Sequence, residues 1–183
     1  MGHLTVLYGS QTGCAEEFAE RVGRVVEALG VSVDVMPMDS YDIRSLPKEE
    51  FAVFVVATAG QGEFPDNARY FWRFLLRKNL PSNSLVGMKA AVCGLGDSGY
   101  DEFNFAAKKL YRRLIQLGAS FLVAPAYGDD QSPSGSCYCD LLIGLHIVLN
   151  RRKVPYRSSI PGCSSLLLLF LASFLLLNLS YRL

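Results

Sequence analysis

Histidine is scarce in this chain. Its two histidines, His3 and His146, lie at opposite ends of 183 residues. That argues against a metal centre and against a histidine-based nucleophilic triad. Five cysteines (Cys14, Cys93, Cys137, Cys139 and Cys163) form neither a CxxC pair nor a disulfide ladder. With no N-terminal signal peptide, they read as reduced thiols of a cytosolic protein. Excess positive charge is missing from the body of the chain as well. Residues 1–135 hold 13 Lys+Arg against 16 Asp+Glu, a net of −3, which excludes an obvious nucleic-acid surface. The remaining residues, 136–183, hold five against one, a net of +4.

The most informative stretch is the opening one. An apolar strand at residues 4–8 runs into the turn Gly9-Ser10-Gln11-Thr12-Gly13. A helix follows at once, with Ala15, Phe18, Ala19 and Val22 on one face and Glu16, Glu17, Glu20 and Arg21 on the other. Such a turn aims free backbone N–H groups and the positive end of a helix dipole at one point, which favours an anion. Ser10 and Thr12 add hydroxyl donors. The turn lacks the lysine of a GxxxxGK[ST] loop, so a triphosphate beside magnesium is not indicated. A neutral cradle suits a single phosphomonoester; the alternative is a capped strand–turn–helix with no ligand.

The rest of residues 1–135 repeats the alternation. Short strands are expected at 31–36, 51–57, 88–93 and 121–127. Helices are expected from Pro65-Asp66 to about Asn79-Leu80-Pro81 and from Asn104 to Leu117. The spacing predicts an α/β fold with a doubly wound parallel sheet. Ligands of such sheets bind outside the carboxyl ends of the strands, at the topological switch point. Three glycine-rich loops follow strands one, three and four, and they would converge there. One of them, Gly94-Leu95-Gly96-Asp97-Ser98-Gly99, matches the GxGxxG dinucleotide fingerprint. Its helix is delayed past Tyr100, and no acidic residue stands at 117–120 to hold a ribose, so a nicotinamide dinucleotide is not favoured here. A receiver domain of the same fold would want acids after strand one, where the chain has Gly9-Ser10-Gln11.

Taken together, SQTG, TAGQGEFPDN and GLGDSGYDEFN resemble the FMN-binding, flavodoxin-like domain of NADPH-dependent diflavin reductases. Residues 70–85 are similar to the type that serves cytosolic iron–sulfur assembly. The resemblance covers about residues 4–135. It implies a five-stranded sheet in the order 2-1-3-4-5, with FMN at the switch point. It also implies that Ser10, Gln11, Thr12, Gly13, Cys14 and Ala15 hold the phosphate. Ala57, Thr58, Ala59 and Gly60 would flank one side of the isoalloxazine. Leu95, Gly96, Asp97, Ser98, Gly99, Tyr100, Asp101, Glu102, Phe103 and Asn104 would wrap the other, with Asp130 as an acidic contact near the ring. Tyr100 offers a π-face for stacking. Gly60 and Gly62 tolerate positive φ, so a peptide there can turn over. Asp97, Glu63, Asp66, Asp101 and Glu102 would ring the cofactor edge with negative charge, offering a docking face to a basic partner.

Two departures stand out. Position 14 is Cys where the family usually has Asn, and Ala59 offers no bulk on the inner face. Beyond residue 135 a diflavin reductase would continue into an FAD/NADPH module, whereas here the composition turns apolar. Residues 142–149 have no polar face, and residues 163–181 span 19 positions. As a helix these 19 would reach about 28 Å, against a hydrocarbon core of about 30 Å. Arg151, Arg152, Lys153 and Arg157 would mark the cytosolic side. The tail therefore reads as a membrane anchor or as a splicing or read-through product. The expected function is single-electron transfer through FMN, from an FAD/NADPH module to an iron–sulfur protein. The alternative is a truncated, non-catalytic isoform that binds the partner but accepts no electrons from NADPH.

Overall fold

A computed structural model of the chain describes residues 3–132, apart from Leu29 and Leu122. The expected tail at 136–183, with its anchor reading, lies outside the described residues. Among the described residues, no helix is long and apolar enough to cross a membrane.

The elements follow as β1 (His3–Gly9), α1 (Cys14–Ala28), β2 (Ser32–Pro37), a 3-10 turn (Ile43–Lys48), β3 (Phe51–Ala57), α2 (Asp66–Leu75), β4 (Lys89–Gly96), α3 (Phe105–Gln116), β5 (Ser120–Phe121) and β6 (Ala126–Asp129). The strands are parallel, in the order β2-β1-β3-β4-β5, with β6 also pairing β4. This is the 2-1-3-4-5 sheet that the family resemblance implies, with one refinement. The fifth strand, expected as one run over 121–127, comes as two short segments on the same neighbour. Pro125 lies between them, and a proline has no N–H to give a ladder.

The period of two along each strand sorts the core into two layers. On one side Leu7, Phe54, Val56 and Val92 pack against Phe71 and Leu75 of α2 and Leu110 and Leu114 of α3. On the other, Leu4, Val6, Val53, Val55 and Cys93 meet Ala15, Phe18, Val22 and Val26 of α1. Strand β3 serves both layers, with Phe51 to Val56 buried throughout, which is why its sequence is a continuous apolar run. Each large side chain so buried stabilises the fold by about 1.5–3 kcal/mol.

Helix α2 stops at Leu75, earlier than its sequence suggests. Arg113 of α3 explains the stop: its Nε donates to the Leu75 carbonyl at 2.7 Å, and its Nη2 donates to that of Arg77 at 3.5 Å. The Leu75 carbonyl, which a longer helix would offer to Asn79 N–H, is taken by a tertiary partner.

Candidate functional site

Because the strands are parallel, the turns after β1, β3, β4 and β6 lie along one edge of the sheet. The turn after β1 is shaped by its own hydroxyl and by a neighbouring helix. Gly13 N–H donates to Ser10 Oγ at 3.0 Å, leaving the Ser10 hydroxyl hydrogen free to donate outward. Ser10 N–H donates to Asn67 Oδ1 at 2.9 Å. The Gln11 side chain reaches the start of α2, accepting from Asp66 N–H at 3.1 Å and donating to Asp66 Oδ2 at 3.2 Å. The first helical bond of α1 is Glu17 N–H to Gly13 O at 2.9 Å, so the N–H groups before it have no acceptor within the helix. Behind the turn, Tyr8 donates to Glu16 Oε1 at 2.9 Å; burial, then that bond, pushes the Tyr8 hydroxyl up to about 12.

The loop after β3 is closed by a two-way bridge between Ala59 and Glu63, with N–H to O distances of 2.9 and 2.8 Å. Gly60 and Gly62 inside it have φ of 48° and 78°. Lys109 Nζ of α3 donates to the Gly62 carbonyl at 2.9 Å, so that peptide is held while the Gly60 side of the loop is not pinned by it. Glu102 packs on Gly62, and a Cβ placed there would stand 3.1 Å from Glu102 Cβ.

The loop after β4 turns on Asn104, which is fully buried and adopts left-handed backbone angles, φ 55° and ψ 28°. Its Nδ2 donates to Gly128 O at 2.9 Å, joining the start of α3 to β6. Gly94 makes this approach possible, since a Cβ there would lie 2.5 Å from Asn104 Oδ1. Lys108 Nζ donates to Phe103 O at 2.6 Å and stands over the Phe103 and Tyr127 rings at 5.2 and 5.5 Å. The same loop is braced by β6. Asp129 Oδ1 accepts from Ser98 N–H at 2.9 Å and Gln131 N–H at 3.1 Å, and the bonds from Ser98 hold the Asp129 carboxyl below its ordinary value. Asp97 Oδ1 accepts from Gly99 N–H at 2.7 Å and from Gln131 Nε2 at 2.9 Å.

Together the loops enclose a cavity of about 470 Å³, lined by Thr12, Cys14, Ala57, Thr58, Gly60, Leu95, Gly96, Asp97, Tyr100, Glu102, Phe103, Asn104 and Asp130. Every one of these positions is among those the sequence nominates. Of the other nominees, Ala15 is fully buried in the first turn of α1 and offers the site its backbone alone. Ser10 and Gly13 shape the turn beside Thr12, and Gln11 spends its side chain on Asp66. Ala59 sits in the bridge, while Ser98, Gly99 and Asp101 form the outer turn of the loop after β4. Tyr100 is 70% exposed at the mouth, too open to anchor its loop. Sequence reasoning missed Asn67, Lys109 and Asp129. Each acts through a contact far away along the chain: Asn67 on Ser10, Lys109 on Gly62 and Asp129 on Ser98.

The chemistry of the lining fits FMN. The buried side-chain atoms that lack a partner, among the described residues, are Thr58 Oγ1, Glu102 Oε2 and Asn104 Oδ1, and all belong to residues of this cavity. An unpaired buried acceptor is costly, so these atoms suit a ligand bearing hydrogen-bond donors. The isoalloxazine imide and the ribityl hydroxyls are such donors. No lining residue is basic, so the phosphate would be held by hydroxyls and N–H groups at the start of α1. Among the described residues no group of His, Cys, Asp and Glu is arranged to hold a metal. When bound, FMN supplies the redox chemistry; the protein binds and orients it.

Known proteins agree with this geometry. The family model described as flavodoxin matches residues 6–137. A mouse protein called NADPH-dependent diflavin oxidoreductase 1 is 54% identical over 132 residues, covering 72% of this chain and 22% of the mouse protein. Its Arabidopsis thaliana namesake is 53% identical over 133 residues, covering 72% of this chain and 21% of that protein. The chain thus spans about a fifth of the length of these relatives. Among solved structures, a flavodoxin from Streptococcus pneumonia TIGR4 superposes with a TM-score of 0.65 at 27% identity, covering 81% of this chain and 96% of that one. A parallel sheet ordered 2-1-3-4-5, a cavity at its carboxyl edge and this family match lead to one conclusion: the chain belongs to the flavodoxin family and carries an FMN-binding domain like that of the diflavin oxidoreductases.

Proposed function

We propose that this domain receives electrons on FMN from an FAD/NADPH module and passes them singly to an iron–sulfur protein. The observation that carries the reading is the convergence of the loops after β1, β3 and β4 on one cavity, with Thr12, Thr58, Tyr100 and Asn104 in its lining, in a chain that matches the flavodoxin family over residues 6–137. Within it Ser10, Thr12 and the first N–H groups of α1 bind the phosphate. Thr58 and the 95–104 loop orient the ring, and Tyr100 stacks at the mouth. The acidic rim of Asp97, Asp101, Glu102 and Asp130 disfavours extra negative charge on the flavin and faces a basic surface on an electron partner. A cytosolic setting suits Cys14 and Cys93, which form no disulfide among the described residues.

The test is reconstitution. The purified chain is titrated with FMN, then mixed with NADPH, a separately prepared FAD/NADPH module and an oxidised iron–sulfur protein. Reduction of the cluster that depends on the chain and on FMN supports the reading. Saturable flavin binding with no cluster reduction supports the alternative instead, a form that docks the partner without delivering electrons.

A further inference from the structure

Charge in this domain is sorted by element. Residues 66–80 and 105–116, which hold α2 and α3, carry eight Lys+Arg and one acid, a net of +7. The rest of residues 1–135 carries five against fifteen, a net of −10. Both helices start at the cavity edge of the sheet and run away from it, so their C-terminal ends lie at the opposite end of the domain from the acidic rim.

At that end the cations outnumber any structural need. Arg113 takes the Leu75 carbonyl at the end of α2, while backbone N–H groups take those of Trp72, Phe74 and Arg77. Arg77 lies over the Phe74 ring at 4.3 Å. Arg73, Lys78 and Arg112 are exposed, and none has an ion-pair or hydrogen-bond partner among the described residues. Arg69 and Arg73 stand four residues apart on α2, as do Lys108 and Arg112, and Lys109 and Arg113, on α3; like charges at this spacing oppose the helix. Leu76 and Ile115, 50% and 47% exposed, lie in the same C-terminal turns. Arg113 ties the C-terminal end of α3 to that of α2, so these side chains lie at the same end of the domain.

We infer that the C-terminal ends of α2 and α3 form a docking surface for an acidic polypeptide segment carrying an apolar side chain, with Arg73, Lys78 and Arg112 as its charge contacts. The guanidinium fork matches a carboxylate in two bonds, and Leu76 and Ile115 give an apolar side chain a place to rest. A short acidic segment can sit on this patch alone. A long nucleic acid or a flat anionic bilayer would be brought against the net −10 of the remaining surface. Docking here leaves the cavity mouth open, and it does not depend on the flavin reading.

The experiment uses the whole 183-residue chain, with and without FMN. The probe is a short fluorescein-labelled peptide of Asp and Glu with one central Leu, and the readout is its anisotropy. Saturable binding in both states that weakens with added salt is expected. The double variant Arg73→Glu, Arg112→Glu should weaken it at least about tenfold, with FMN affinity unchanged. Arg112→Gln alone, a milder change, should weaken it by a smaller factor and decides the matter if the double variant does not fold. Equal peptide affinity in the folded variants overturns the inference. So does tighter binding of an RNA of equal charge or of phosphatidylserine vesicles, and so does a loss confined to self-association in sedimentation. Failure to bind FMN with peptide binding intact counts against the flavin reading alone.

Discussion

The Lys109 ammonium donates to the carbonyl oxygen of Gly62 across 2.9 Å, tying helix α3 to the loop that walls the cavity beyond β3. The bond fixes one peptide of a loop that otherwise closes on itself through Ala59 and Glu63. Replacing Lys109 by Met should weaken FMN binding by about 1 kcal/mol, roughly fivefold, and Arg should recover part of it. Quenching of flavin fluorescence during titration measures both.

Gly62 itself tests the same wall. Its φ of 78° and its contact with Glu102 leave little room for a Cβ. Gly62→Ala should destabilise the protein by about 1–2 kcal/mol and loosen FMN. Gly87→Ala makes the control, because nothing lies within 4 Å of a Cβ there. That change should be neutral or slightly stabilising, and urea unfolding of the two variants separates the outcomes.

Asn67 acts on the other end of the cofactor. Its Oδ1 accepts the Ser10 N–H and so sets the phosphate turn. Asn67→Ala should cost about 1 kcal/mol of FMN affinity but leave riboflavin, which has no phosphate, nearly unaffected. Equal losses for the two flavins would show that Asn67 supports the fold and not the turn.

Acid should release the cofactor through Asp129. The side-chain hydrogen bond from Ser98, followed by backbone bonds, lowers its carboxyl below the ordinary 3.8. A depressed value means the contribution is present above the unfolded value and is lost as pH falls through the folded one. The brace on the 97–104 loop should therefore hold through the ordinary carboxylate range and fail only below it. Asp129→Asn should flatten this acid limb when flavin release is followed between neutral and strongly acidic pH.

The sequence carries the parts of this fold that depend on burial. The apolar run at residues 51–57 coincides with β3, Phe51–Ala57, because a strand covered on both faces has no polar positions to blur its ends. The cavity lining was legible through the spaced motifs SQTG, TAGQGEFPDN and GLGDSGYDEFN, which carry the family resemblance. What was not legible is pairing over distance. Nothing local announces that Arg113 will cap α2, that Asn67 will take the Ser10 amide, or that Asp129 will brace Ser98 while its neighbour Asp130 faces the cavity. Periodicity reports which face is buried but leaves open which carbonyl a lysine reaches.

From Phe121 to Ala126 the chain takes five residue steps while β4, beside it, takes three from Ala90 to Cys93. That excursion, with Pro125 in it, interrupts the row of hydrogen-bonding groups along the outer side of the sheet. A foreign strand approaching β5 or β6 finds two short stubs out of step with each other and no continuous template to extend. The same interruption that delivers Asp129 and Asp130 to the cofactor end thus also blunts this edge of the sheet against strand addition.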